Sequence, residues 1–179
     1  MASQPEPVQP RANIEIKARC GDLDAARRVS RELATRYVGV DHQVDTYFVV
    51  RSGRLKLRES SLSGGQLIPY RRPDQAGPKR SDYQVIPVPL PAQLKALLGE
   101  LLGVHRVVEK QREIFLVDNV RIHLDRVTGL GHFLELEAVF DGSAAAEARE
   151  RAKVDTLMAA LGVTSDDLLE TSYEALLGR

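Results

Sequence analysis

One side of each predicted strand in this chain is aliphatic and the other is ionic, and this repeated alternation narrows the possible folds more than any other property. In residues 14–19, Ile14, Ile16 and Ala18 interleave with Glu15, Lys17 and Arg19. Successive side chains of a strand point to opposite faces, so the charges share one face and the aliphatic residues the other. The same sorting holds in "GRLKLRE", where Arg54, Lys56 and Arg58 oppose Leu55 and Leu57. In "VRIHLDRV", Arg121, His123 and Asp125 oppose Val120, Ile122 and Leu124. Lys110 and Arg112 lie together on a further strand, and in "FLELEAV" Glu135 and Glu137 oppose Leu134, Leu136 and Ala138. A slip of one residue would exchange the two faces, so the pattern fixes which side of each strand meets a core.

Between these strands the spacing predicts helices. "GDLDAARRVSRELATRY" has an Asp start and apolar positions at Leu23, Ala26, Val29 and Leu33, and "PAQLKALLGELLG" opens with Pro91 where proline is tolerated. "QVDTYFVV" and "QLIPYRRPD" read as strands, the latter after a flexible "SSLSGG". "VVEKQREIFLV", "VRIHLDRV" and "HFLELEAVF" read as a three-stranded antiparallel meander turning at Asp118-Asn119 and "TGLG". The last forty residues are expected to be helical and to divide at Gly162. With 179 residues and no visible internal boundary, one domain over 11–179 is expected after a disordered Pro-rich tail over 1–10. Twenty-five basic and twenty-five acidic residues cancel, which argues against bulk attraction to nucleic acid or an anionic bilayer. One cysteine permits neither an internal disulfide nor a paired-cysteine zinc site, and the N-terminal stretch lacks a signal-peptide pattern, so a cytoplasmic location is expected.

An antiparallel sheet with one wet face gives the same alternation. The polar face here is nearly free of Ser, Thr, Asn and Gln, however, and is rich in long cations. Like charges opposed across strands cost a few tenths to about 1 kcal/mol per pair, so Lys56, Arg58, Lys110, Arg112 and Arg121 call for a counter-charge. Arginine forks and lysine ammonium groups suit phosphate oxygens, which makes a polyphosphate the natural ligand. Carboxylates on the same face would repel it unless a cation intervened. Oxygen donors such as Glu15, Asp125, Glu135 and Glu137 favour Mg²⁺ or Mn²⁺, which bridges carboxylates to phosphates.

Taken in order, "NIEIKAR", "QVDTYF", "GRLKLRE", "EKQREIF", "VRIHLDRVTGLG" and "FLELEAV" resemble the CYTH family, also called triphosphate tunnel metalloenzymes. That family includes class IV adenylate cyclases, thiamine triphosphatases and inorganic tripolyphosphatases. The resemblance implies an α+β fold: an antiparallel β-barrel forming a triphosphate tunnel, with helices packed on the outside and glutamates holding Mg²⁺ or Mn²⁺. It places phosphate contacts on Lys17, Lys56, Arg58, Arg72, Lys110, Arg112 and Arg121, although Pro69 disturbs the strand leading to Arg72. The charge-neutralising catalytic set is Lys17, Arg58, Lys110, Arg112 and Arg121, and the metal set is Glu15, Asp125, Glu135 and Glu137. Two departures stand out: the Glu-x-Glu-x-Lys signature falls on Asn13, Glu15 and Lys17, and "KRSDYQV" carries uncharged Ser81 and Tyr83 where many members have charged residues.

The expected activity is metal-dependent hydrolysis of an inorganic or organic triphosphate. A class IV adenylate cyclase making cyclic AMP and pyrophosphate is the alternative, and a non-catalytic polyphosphate or nucleotide binder is a second. The expected partner is a small-molecule triphosphate, with no nucleic acid and no membrane, and a homodimer is left open. His123 is expected to be a hydrogen-bonded structural residue rather than a proton-transfer group, and Tyr47 and Phe48 are expected in the core rather than stacked on a base.

Overall fold

The computed structural model describes residues 11–178; the expected disordered tail over 1–10 lies outside them. In chain order the elements are β1 (Arg11–Arg19), α1 (Leu23–Leu33), β2 (Arg36–Phe48), β3 (Arg54–Ser60), β4 (Gly64–Arg71), β5 (Lys79–Tyr83) and β6 (Ile86–Val88). Then follow α2 (Pro91–Leu102), β7 (Val104–Val117), β8 (Val120–Val127), β9 (Gly131–Phe140), α3 (Ala144–Ala160) and the single turn α4 (Tyr173–Leu176). All the strand pairings are antiparallel, in the order β3-β2-β7-β8-β9-β1-β5-β4, and the pairing of β3 with β4 closes these eight strands into a barrel. The β7-β8-β9 meander is as expected from the sequence.

Closure separates the two faces. Ile14, Ile16, Ile122, Leu124, Leu134 and Leu136 turn outward, are buried, and pack with Leu23 and Ala26 of α1 and Val154 and Leu157 of α3. Burying such aliphatic side chains stabilises the fold by about 1.5–3 kcal/mol each, and it forces the ionic positions of the same strands inward.

Several details differ from the sequence expectation. Helix α1 starts where Asp22 accepts backbone N–H bonds from Asp24 and Ala25 at 3.0 and 2.8 Å, but it ends at Leu33. Residues 36–48 instead form one long strand, because pairing with β7 satisfies the backbone from Arg36 onward. The "SSLSGG" stretch is a tight β3–β4 turn: buried Asp41 accepts bonds from Ser60, Ser61 and the Leu62 N–H. Strands β5 and β6 run in one line along β4 in a single register, Tyr70 opposite Tyr83 and Leu67 opposite Ile86, interrupted at Gln84 and Val85. The break lies beside Pro69, whose carbonyl accepts from Gln84 but which has no N–H to return.

The C-terminal forty residues are only partly helical. Beyond Gly162 the chain makes a 3-10 turn at Ser165–Asp167, and Leu168 and Leu169 then run against β1, with the Leu169 N–H donating to the Lys17 carbonyl at 2.8 Å. Because β5 covers β1 only as far as Glu15, that carbonyl is free to accept. The segment then delivers Tyr173 into one end of the barrel, where it packs with Tyr47, Val108, Val127 and Phe133.

Candidate functional site

Register assigns the barrel's inner neighbours. Lys17 stands opposite Glu135 and Glu15 opposite Glu137 across β1 and β9; His123 and Arg121 oppose the same two glutamates from β8. Arg112 on β7 faces Asp125 on β8. Lys17–Glu135, Arg121–Glu137 and Arg112–Asp125 thus set unlike charges side by side and lower the cost of an ionic interior, whereas Glu15 and Glu137 bring two carboxylates together. They surround a cavity of about 230 Å³ lined by all seven expected cations, Lys17, Lys56, Arg58, Arg72, Lys110, Arg112 and Arg121, and by Glu15, Glu135 and Glu137. Asp125 is fully buried behind that lining.

The cations divide by their partners. Arg58 grips Asp45 with two bonds of 2.7 Å, while Lys56 and Lys110 reach the same carboxylate at 3.0 and 3.3 Å. Burial opposes the charged form of Asp45, but Arg58, Lys110 and Lys56 outweigh it and hold the carboxyl well below its usual range. Sequence reasoning missed Asp45. Its signal was present in "QVDTYF", where Gln43, Asp45 and Tyr47 share a face, but nothing local said that the face turns inward. Arg112 donates to both Asp125 oxygens at 2.7 and 2.5 Å and to Glu135 at 2.5 Å. Asp125 also accepts from the Tyr173 hydroxyl at 2.9 Å. Tyr173 was likewise missed, since among the leucines of an expected helix a single aromatic carries no signal that it enters a barrel.

Lys17 pairs with Glu135 and lies 3.5 Å from the Tyr173 ring centre. Burial and the Arg72 charge lower its pKa well below the ordinary value. Burial and Arg112 bring Lys110 down to about 7, against the pull of Asp45. Arg72 is the cation with most to offer: one nitrogen donates to Glu15 at 2.6 Å, while its Nε and Nη2 are buried without hydrogen-bond partners. Arg121 keeps 39% of its side-chain exposure and stands 3.7 Å from Glu137.

Beside Arg121 on β8 and across to β9, ligand atoms of His123, Glu135 and Glu137 lie within 4.8 Å of one another. Burial works against ionised Glu137, yet His123, Arg112 and Arg121 bring it to about 2. Burial and Arg112 keep His123 itself neutral, so at neutral pH the two arginines are the charges that act on Glu137. Contrary to the expectation of a hydrogen-bonded histidine, His123 Nδ1 has no partner. Two carboxylates with a buried, unsatisfied donor atom between them suit a divalent cation. Asn13, where the signature would place an acid, lines the same cavity with its Oδ1 also unpartnered.

A closed antiparallel barrel whose charged interior lines a cavity places the protein in the class of triphosphate-tunnel folds. The particular family follows from comparison: the CYTH domain model matches residues 11–173, and the chain belongs to the CYTH family. A Methanocaldococcus jannaschii protein provisionally named an adenylate cyclase is 26% identical over 92% of this chain and 98% of its own. The crystal structure of a Vibrio parahaemolyticus protein, also provisionally named an adenylate cyclase, aligns with TM-score 0.73 at 21% identity, covering 97% and 100% of the two chains. A Hippeastrum protein, provisionally an adenylyl cyclase and described as having a dominant triphosphatase activity, aligns with TM-score 0.57 at 15% identity over 93% and 95%. At these identities the two structures speak for the fold. Among the described residues no helix is long and apolar enough to cross a membrane.

Proposed function

We propose that the protein hydrolyses a triphosphate with the help of a divalent cation. The observation that carries this reading is the cavity's mixed charge: the seven expected cations, among them Arg72 with two uncommitted nitrogens, share one space with the Glu135–Glu137 pair and with Tyr173. Arg72, Arg58 and Arg121 would hold phosphate oxygens, and Lys110, near its midpoint at neutral pH, would regain its proton as the anion enters. Glu135 and Glu137 would hold Mg²⁺ or Mn²⁺, with Glu15 contributing from β1. Asp125, which Arg112 and Tyr173 occupy, would act as the arginine's counter-charge. The bound cation supplies charge neutralisation at the phosphoryl oxygens. Donors already held around the cavity by the barrel need little reorganisation as negative charge shifts towards the leaving group, which is how such a site lowers a barrier.

One observation favours a second reading. Ile68, Tyr83 and Val85 give the cavity a neutral stretch of wall that inorganic triphosphate would not need and an organic group would fill. The cyclase reaction, in which the ribose 3′-hydroxyl attacks the α-phosphorus, fits that wall, and names of relatives point the same way. Incubation with Mn²⁺ and, separately, tripolyphosphate, thiamine triphosphate or ATP decides between them. Orthophosphate release supports hydrolysis; cyclic AMP with pyrophosphate replaces it by the cyclase. Thermal stabilisation by these compounds without product would reduce the protein to a binder.

A further inference from the structure

We infer that His123 is a direct ligand of the divalent cation, so that the site is a mixed nitrogen–oxygen centre favouring Mn²⁺ and similar transition ions over Mg²⁺. The inference rests on the metal-dependent reading above and deepens it.

His123 is 4% exposed, and its Nδ1 points between two carboxylates, 3.8 Å from Glu135 Oε2 and 3.7 Å from Glu137 Oε1. Those separations are too long for hydrogen bonds. They do suit atoms sharing one ion, since ligands with bonds of about 2.1 Å stand roughly 3–4 Å apart around a cation. The register keeps this geometry rigid: His123 and Glu135 are direct partners across β8 and β9, and Glu137 is one inner position further along.

The neighbours decide which atoms are free to bind. Glu135 is already claimed on one oxygen by Lys17 and on the other by Arg112, whereas among the described residues the one arginine or lysine paired with Glu137 is Arg121 at 3.7 Å. His123 and Glu137 are therefore the less committed pair, with Glu135 completing the set. On β1, which pairs directly with β9, Asn13 stands where an acid would have added an anionic oxygen. An imidazole compensates in part, and it does so selectively: Mg²⁺ prefers oxygen and its own waters, whereas Mn²⁺ and its heavier neighbours accept a ring nitrogen.

The test is pulsed electron paramagnetic resonance of Mn²⁺ bound to the full-length protein, paired with calorimetric titration of Mn²⁺ and Mg²⁺. Nitrogen hyperfine coupling is expected, and it should change when the protein is grown with isotopically labelled histidine. His42, His105 and His132 are exposed and carry the same label, so it is loss of the coupling on substitution of His123 that assigns it. In H123A, checked for native circular dichroism, the coupling should vanish and Mn²⁺ affinity should fall about 10- to 100-fold, with Mg²⁺ affinity changing less than about threefold. Tight Mn²⁺ binding without histidine coupling overturns the inference, and triphosphate turnover by that same sample would leave the hydrolase reading standing. Absence of any divalent binding overturns both.

Discussion

The carboxylates inside this barrel have separate tasks, and single substitutions distinguish them. Asp45 neutralises three buried cations while touching no space a ligand would fill. Asp45→Asn would leave Lys56, Arg58 and Lys110 without their shared counter-charge, and a loss of about 3–5 kcal/mol is expected from denaturant unfolding. Tripolyphosphate should raise the melting temperature more in this variant than in the parent, because the ligand supplies the missing charge. Glu137 lines the cavity and supports few internal contacts. Glu137→Ala is therefore expected to lower metal-dependent turnover by about 100-fold or more with little change in melting temperature; retained turnover would remove this glutamate from the metal site.

At the level of elements, the barrel depends on close approach where β4 meets β6 and α2. A Cβ on Gly65 would lie 2.5 Å from the Val88 carbonyl oxygen and 2.8 Å from Pro91 Cβ, both on backbone-anchored atoms that cannot swing away. Gly65→Ala is expected to cost about 1–3 kcal/mol, read as a lower denaturation midpoint. Strand identity was legible in the sequence wherever alternation was clean, as in β1, β8 and β9. It failed for β5 and β6, where Pro87 and the interruption opposite Pro69 break the period, and for the start of β2, where the helical spacing carries on to Tyr37 and Gly39 interrupts the alternation. Pairing partners settled those segments.

For the whole molecule, closure carries a cost that pH reveals. Lys110 is brought from 10.5 to about 7 and Lys79, fully buried with its amine on the Gln75 and Leu169 carbonyls, to about 8; burial is the leading cause for both. Between these values and about pH 10 the unfolded chain holds protons that the folded one has lost, so stability rises with pH over that window. Lys110 alone contributes a slope of about 1 kcal/mol per pH unit. Melting temperatures of the ligand-free protein measured from pH 7 to 9.5 should climb, provided chemical damage at high pH is controlled. Triphosphate binding at pH 8.5 should take up a proton, visible as a dependence of calorimetric heat on the ionisation enthalpy of the buffer.

The order of amino acids is enough to sort residues onto shared faces, because a strand's period of two is a local property: alternation alone groups the cations of β3, β7 and β8 and the glutamates of β9. It also carries the family pattern that points to a tunnel. Which charges meet is a matter for the folded chain. That Asp45 answers three cations, that Asp125 is taken by Arg112 and Tyr173, and that His123 is left unsatisfied all depend on inter-strand register and on a C-terminal segment folding back more than a hundred residues onto β1. Charge pairing falls steeply with distance and desolvation, and neither quantity exists until the sheet has closed.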